Sequence, residues 1–326
     1  FLHFPLQSEK DKNGIRNYKN EFENSLFIDK IALEDLIKFQ GATFNIVRGY
    51  YFNEGHNNKI NQVIQYCFNE RLKQKSKSNP IEQVYKLLMN ASYGKTILKA
   101  VETDLKFTNT KKQHDKFLFR NHNFIKEYSE IAKDKHVYKI QKSVLTHFNT
   151  VHVGVEILSM SKRIMNEVMC LAEDLDIDIF YQDTDSMHIL DRQIETLADA
   201  FKKIYKRELI GEQLGQFHTD FSVKDTRTNK KIKDITAIES YFLGKKCYID
   251  KLTCKDEDFM STKHHIRMKG VSEGAILIKG DPMVTYDKLF KGESVKFDLA
   301  EGKPIFKKNK DFSCSSQLTF IRELKF

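Results

Sequence analysis

Tryptophan is absent from this chain of 326 residues, and proline occurs only four times. With fourteen glycines beside those four prolines, a collagen-like or linker-dominated chain is excluded. Cysteine is sparse as well. Five are spread over positions 67, 170, 247, 254 and 314, an odd number without a Cys-x-x-Cys pair, so neither a disulfide framework nor a zinc ribbon is expected. An intracellular, reducing compartment is the corresponding expectation. His264 and His265 lie near Cys254, but their spacing fits no standard metal site, and both read as surface residues. No run approaches the ~20 apolar residues of a membrane span, and the opening Phe1-Leu2-His3-Phe4-Pro5 lacks the charged-then-apolar order of a signal peptide. The first residue is not methionine, which suits a fragment or a processed product.

What the chain does contain is a globular composition, with 40% hydrophobic and 12% aromatic residues. That is enough for two or three subdomains with buried cores. A net charge of +9 and a pI near 9.0 favour a polyanionic partner such as nucleic acid. Pattern changes then divide the chain. Residues 25–29 and 43–51 read as strands flanking a short amphipathic helix over 32–39, with Gly41 as its stop. Ile60, Val63, Ile64, Cys67 and Phe68 recur at helical spacing. Asn79, Pro80 and Glu82 then supply the cap, first-turn proline and first-turn acid of a second helix, so a helical hairpin is expected over 57–96. Residues 97–145 carry no sustained period and suggest short strands and turns in a small inserted module. An amphipathic helix over 156–175, with a core-facing methionine stripe, leads into two apolar runs, 177–181 and 187–190.

Between those runs stands Asp183-Thr184-Asp185-Ser186, a turn carrying two acids. Carboxylates this close repel each other unless a hard cation such as Mg²⁺ neutralises them; the plainer reading is a polar turn that caps its own backbone. On the second helix of the expected hairpin, Lys86, Asn90 and Tyr93 fall on one face, while Ile81, Val84, Leu88 and Ala91 cluster on the other, expected to be buried. Arg71 and Lys75 continue the buried stripe of the preceding helix and make its tip cationic. Lys246 and Tyr248 sit two residues apart on an expected strand over 240–250, and so on one face, suited to a nucleic-acid backbone or to the guarded face of an edge strand.

Taken in order, Lys86-Leu-Leu-Met-Asn90-Ala-Ser-Tyr93-Gly94, Tyr181-Gln-Asp183-Thr184-Asp185-Ser186 and Lys246-Cys-Tyr248 resemble the K-x-x-x-N-S-x-Y-G, Y-x-D-T-D-S and K-x-Y motifs of family B DNA polymerases, most nearly the protein-primed viral and linear-plasmid branch. The resemblance implies an α+β palm with an antiparallel sheet backed by helices, a helical-hairpin fingers subdomain and a mixed thumb. In those terms residues 1–56 are a palm-side segment, 57–96 fingers, 97–145 an insertion, 146–255 palm and 256–326 thumb. Asp185 and Asp183 would be catalytic carboxylates on two Mg²⁺ ions, with Mn²⁺ as a substitute. Arg71, Lys75, Lys86, Asn90, Tyr93 and Gly94 would bind the nucleotide. Lys245, Lys246, Tyr248, Thr184 and Ser186 would touch DNA. The implied partners are template-primer DNA, dNTPs and a terminal priming protein, for a monomer that replicates a viral or mobile-element genome.

The pattern departs in one place. The family takes its other essential aspartate from an upstream D-x-x-S-L-Y-P, and these residues contain none: Asn24-Ser25-Leu26-Phe27 imitates it, but Phe22 stands for the aspartate and Ile28 for the proline. The expectation is a C-terminal portion that is inactive alone. Ala91, where the family often has serine, is a milder departure. A non-catalytic nucleic-acid-binding remnant is the alternative, and an RNA-making palm polymerase is a third reading disfavoured by the Lys86 helix.

Overall fold

The computed structural model describes residues 3, 8–13, 16–18, 25–53, 55, 58–99, 101–143, 149–300, 303–308 and 314–326. The chain is a mixed α+β protein whose sheets are small and antiparallel. It divides into two compact units, Phe1–Asn166 and Glu167–Phe326.

In the first unit a short ladder pairs β1 (Ser8–Lys10) with β2 (Arg16–Tyr18). Helix α1 (Lys30–Gln40) follows, starting at Asp29, whose carboxylate accepts from the Ile31 and Ala32 N–H groups, and ending at Gly41 in the left-handed region at φ 58°. The expected strands over 25–29 and 43–51 do not form. Residues 25–28 are irregular, Asp29 is spent as a cap, and 43–51 run without a partner strand, leaving Phe44, Ile46, Val47, Tyr50 and Tyr51 exposed. An alternating sequence makes a strand only where another strand accepts its hydrogen bonds.

Helices α2 (Asn58–Ser76) and α3 (Glu82–Gly94) pack on each other as the expected hairpin. Asn79 accepts from the Ile81 N–H at 3.1 Å in the turn before α3. The seam uses Cys67 and Phe68 of α2 and the half-buried Glu82, Tyr85, Met89 and Tyr93 of α3. The apolar side expected to be buried is not: Ile81, Val84, Leu88 and Ala91 are exposed. The seam follows the residues that meet α2, and aromatic and methionine side chains reach it where the shorter aliphatics point elsewhere.

Residues 103–141 form a self-contained module. Strand β3 (Thr103–Thr108), helix α4 (Lys111–Asn121) and strands β4 (Ile125–Ala132) and β5 (Lys135–Gln141) make a sheet of order β3-β5-β4 with the helix against it. Tyr138, wholly buried on the central strand, packs at a tilt against Phe117 at 4.4 Å and contacts His114 Nδ1 through its hydroxyl at 2.5 Å. Where the chain enters and leaves, the Lys142 N–H donates to the Glu102 carbonyl at 2.8 Å.

Helix α5 (Val151–Asp174) begins earlier than the sequence suggested. Gly154 sits where a Cβ would run into Thr96 Oγ1 and Ile97 Cγ2, so no larger residue fits without a shift. Within the first unit Arg163 donates to Asp35 Oδ1 at 2.6 Å, Glu34 Oε2 at 2.9 Å and the Ile31 carbonyl at 2.7 Å, while Asn166 donates to Asp35 Oδ2 and Ser159 to Asp29. These polar contacts fasten α5 to α1. The methionine stripe is core as expected at Met165 and Met169, whereas Ile157, Leu158 and Met160 are exposed.

In the second unit the last turns of α5 share a core with α6 (Ile194–Tyr205), through Val168, Leu171, Ala172, Ile177, Leu197 and Phe201. Strands β6 (Tyr181–Asp183) and β7 (Ser186–His188) form a hairpin of their own. The next sheet has order β10-β9-β8, from β8 (Thr236–Gly244), β9 (Cys247–Thr253) and β10 (His264–Met268). It runs straight across residue 255. Helices α7 (Glu273–Leu277) and α8 (Pro282–Phe290) pack their apolar faces on one side of it. Ile249, Ile276, Tyr286, Leu289 and Phe297 are wholly buried there, and each contributes on the order of 2 kcal/mol through removal from water. Two further ladders, β11 (Val295–Asp298) with β14 (Ile321–Leu324) and β12 (Ile305–Lys308) with β13 (Cys314–Gln317), complete the described chain. All five cysteines are free, and among the described residues no helix is long and apolar enough to cross a membrane.

Candidate nucleic-acid site

The acid turn is a two-residue hairpin loop with an additional bond inside it. Asp183 pairs with Ser186, and the Asp185 N–H donates to the Asp183 carbonyl at 2.7 Å, closing a three-residue γ-turn on Thr184 at φ 58°. A β-branched residue in the left-handed region is strained, and such strain persists only where neighbours over-determine it. The neighbours here are side chains: among the described residues this hairpin shares no strand ladder with the sheet beside it.

What holds it is a cluster on the sheet face opposite α7 and α8. The Tyr181 ring stacks on Phe242 at 5.4 Å and leans on Tyr248 at 4.7 Å, and His188 stands edge-on to all three rings. The Tyr181 hydroxyl accepts the Lys246 N–H at 2.8 Å. Lys246 Nζ reaches Asp183 Oδ2 at 2.8 Å, and Thr184 Oγ1 donates to Asp183 Oδ1 at 3.1 Å. The lysine bond holds the Asp183 carboxyl below the ordinary carboxylate range and, in return, raises the lysine. The repulsion anticipated between the two acids is therefore relieved by a lysine of this chain. Asp185 remains exposed.

Lys246 and Tyr248 are not neighbours on one strand face. Gly244 pairs with Cys247, so Lys245 and Lys246 form the hairpin turn, with Lys246 at φ 59°. Strand β9 is central, so Tyr248 is buried in the aromatic cluster, and its hydroxyl is pushed up to about 12 by that burial. Its ring supports the turn and does not face solvent. Ser186, half-buried, donates to the Asp183 carbonyl at 3.1 Å.

Beneath the cluster lies a row that the sequence reading missed. Ser240, Asp250 and His265 are directly opposite one another across β8, β9 and β10. Asp250 is wholly buried, accepting from the Ser240 hydroxyl at 2.7 Å and contacting His265 Nδ1 at 3.0 Å and His188 Nδ1 at 3.6 Å. Burial pushes the His188 imidazole below its ordinary value against the attraction of Asp250. His264 and His265 are thus not surface residues; both are half-buried in the sheet. The one available signal was an acid directly after the apolar run Cys247 to Ile249.

In the first unit, Lys86 and Asn90 are exposed on α3, and Lys75 is exposed near the end of α2. Arg71 turns into the seam instead, with Nε 3.9 Å from Glu82 Oε2, and Tyr93 and Gly94 are half-buried. The structure thus brings Asp183, Lys246 and Tyr248 together in one unit and places Lys86, Asn90 and Lys75 on the helical hairpin of the other.

Among the described residues no three His, Cys, Asp or Glu side chains converge as ligands, and one of the two turn carboxylates is taken by Lys246. Mg²⁺ demands near-octahedral oxygen coordination, so these residues alone do not fit a two-ion centre. Comparison with protein-family models, with curated proteins and with solved structures finds no match.

Proposed function

We propose that this chain is the fingers, palm and thumb portion of a family B DNA-directed DNA polymerase, acting on template-primer DNA and dNTPs. One observation carries the reading. Lys246 and Asp183, which come from separate motifs 63 positions apart, meet at 2.8 Å, and the same lysine's N–H meets Tyr181. Two chance matches have no reason to fold turn against turn.

In this reading the Lys245-Lys246 turn faces the phosphates near a primer end, Tyr248 and Tyr181 hold that turn in place, and Asp185 offers an open carboxylate. Lys86, Asn90 and Lys75 present donors to a triphosphate, and Arg71 and Tyr93 brace the two fingers helices. Metal ions in such enzymes activate the primer hydroxyl and stabilise the leaving group. The motif that supplies a further carboxylate in that family is absent from these residues. Without it the chain binds nucleic acid and does not extend primers.

A second reading, a nucleic-acid-binding protein without catalysis, draws on the neutralisation of Asp183 by Lys246. Primer extension separates the two. The test compares the 326-residue chain with the polypeptide translated from further upstream, each with and without Asp185→Ala. The polymerase reading expects incorporation from the longer polypeptide alone, cut at least ~100-fold by Asp185→Ala with DNA affinity unchanged. DNA binding with no incorporation from either polypeptide gives the site to the second reading, and incorporation that survives Asp185→Ala overturns the catalytic role of Asp185.

A further inference from the structure

We propose that Asp250 is a positioning residue for the acid turn, acting through His188 to fix where Asp183, Thr184 and Asp185 stand relative to the Lys245-Lys246 turn. The proposal deepens the polymerase reading and rests on it for its kinetic consequence, although its structural half stands alone.

The argument starts from an imbalance. The β6–β7 hairpin ends in a strained γ-turn, yet among the described residues no strand ladder ties it to the β8–β9–β10 sheet. Its seat is made of rings and of two polar contacts to Lys246. Rings alone permit sliding, because stacking energies vary slowly with lateral offset. Both polar contacts come from the Lys245-Lys246 turn, so among the described residues the sheet itself offers only one fixed charge to the hairpin, that of Asp250. Its backbone is locked in the central strand, with Ser240 and His265 on the flanking strands. Its carboxylate is wholly buried, and a buried carboxylate requires donors. Ser240 and His265 meet it from the sheet itself at 2.7 and 3.0 Å, while His188 Nδ1 of the hairpin stands 3.6 Å away, beyond hydrogen-bond length but within reach of the charge.

His188 is the residue through which this anchor reaches the tip. It pairs directly with Tyr181 across the hairpin, and two positions further along the same face Ser186 pairs with Asp183. Rotation of the His188 ring therefore moves the Tyr181 ring and with it the acceptor of the Lys246 N–H. The groups facing His188 are Tyr181 from β6, Phe242 from β8, Tyr248 and Asp250 from β9, and His265 from β10, with Asp220 acting on it electrostatically at longer range. Asp220 also approaches His265 Nε2, at 4.0 Å.

Amide hydrogen exchange on the 326-residue chain tests the structural half, because the Lys246 N–H, bonded to the Tyr181 hydroxyl, reports directly on the seat. Asp250→Asn and His188→Gln are each expected to speed exchange at Lys246 and Asp185 by about tenfold or more, with Tyr286 and Leu289 in the opposite core unchanged. His188→Gln leaves Asp250 its two sheet partners, so it decides the matter if Asp250→Asn loosens the whole unit. Unchanged Lys246 exchange in His188→Gln overturns the proposal. The kinetic half uses whichever polypeptide, the 326-residue chain or one extended upstream, supports incorporation. Asp250→Asn and His188→Gln are expected to lower kcat for nucleotide incorporation about tenfold with the KM for dNTP within about twofold, as misplacement of a reacting group does. A parallel Asp185→Ala control tells the failures apart. If Asp185→Ala has no effect, the catalytic role of Asp185, and with it the polymerase reading of this turn, fails and the exchange result stands; if Asp185→Ala abolishes incorporation while both other variants keep wild-type kcat, the positioning role fails.

Discussion

Single residues in this chain do work that their type conceals. Asp225 accepts from the Arg227 side chain and from the Arg227 and Thr228 N–H groups, while Arg227 also lies over the Phe259 ring at 3.3 Å. These bonds, the arginine side chain's first, hold the Asp225 carboxyl at about 2 against an ordinary 3.8. A carboxyl depressed on folding stabilises the fold fully above its ordinary range, and the contribution drains away as pH falls through about 2. Arg227→Ala should therefore move the Asp225 titration, followed by carboxyl carbon NMR, back up towards 3.8; a titration that stays near 2 would assign the effect to the backbone donors. Asp250 gives the opposite lesson. Its neighbours Cys247, Tyr248 and Ile249 are all buried, so the strand opens as an apolar run and the acid reads as its end. The partners that explain it, Ser240, His188 and His265, are known only once the strands are paired. An acid turn such as Asp183 to Ser186 is legible because its chemistry is contiguous; a buried polar row across three strands is not.

At the scale of elements, legibility follows the range of the forces involved. Helices α1, α2, α3 and α5 declare themselves through local signals, such as hydrophobic periodicity, the Gly41 stop and the Asn79 turn, although the Asp29 cap was hidden in an expected strand. Strands depend on partners. The alternating stretch over 43–51 found none, while the run expected as one strand over 240–250 broke into two around Lys245-Lys246. The joint between α1 and α5 likewise rests on pairs distant in sequence: Arg163 and Asp35 are 128 positions apart. Here the two partners are unequal. Asp35 is almost wholly buried, whereas the Arg163 side chain is 24% exposed. Removing the arginine leaves a buried carboxylate with only the neutral Asn166 amide, and removing the acid leaves a guanidinium that still has Glu34 and water. Arg163→Met should cost about 3 kcal/mol, read as a lowered urea midpoint, and Asp35→Asn distinctly less. Equal losses would mean that packing of the arginine stem, and not charge, holds the joint.

Over the whole molecule the net charge of +9 is a statement about partners rather than about fold. If the basic turn lies along a phosphate backbone, affinity for primer-template DNA falls linearly with the logarithm of salt, and each lost phosphate contact reduces the slope by about one. Lys245→Ala should produce that reduction with no change in preference among DNA sequences; an unaltered slope would remove the turn from the interface. The charge was legible at once, and the division at Asn166 and Glu167, inside a single helix, was not. Hydrophobic periodicity runs through that helix without a break, so nothing in its local pattern records that its stretch from Arg163 to Asn166 is fastened to α1 by polar contacts while its last turns enter the core shared with α6. The segment from 103 to 141 is organised differently, because its first and last flanking residues, Glu102 and Lys142, already share a hydrogen bond. A loop of two or three residues could replace it with no rerouting of the chain on either side, so in a lineage of such proteins this module is the part that can be acquired, exchanged or discarded in one genetic event.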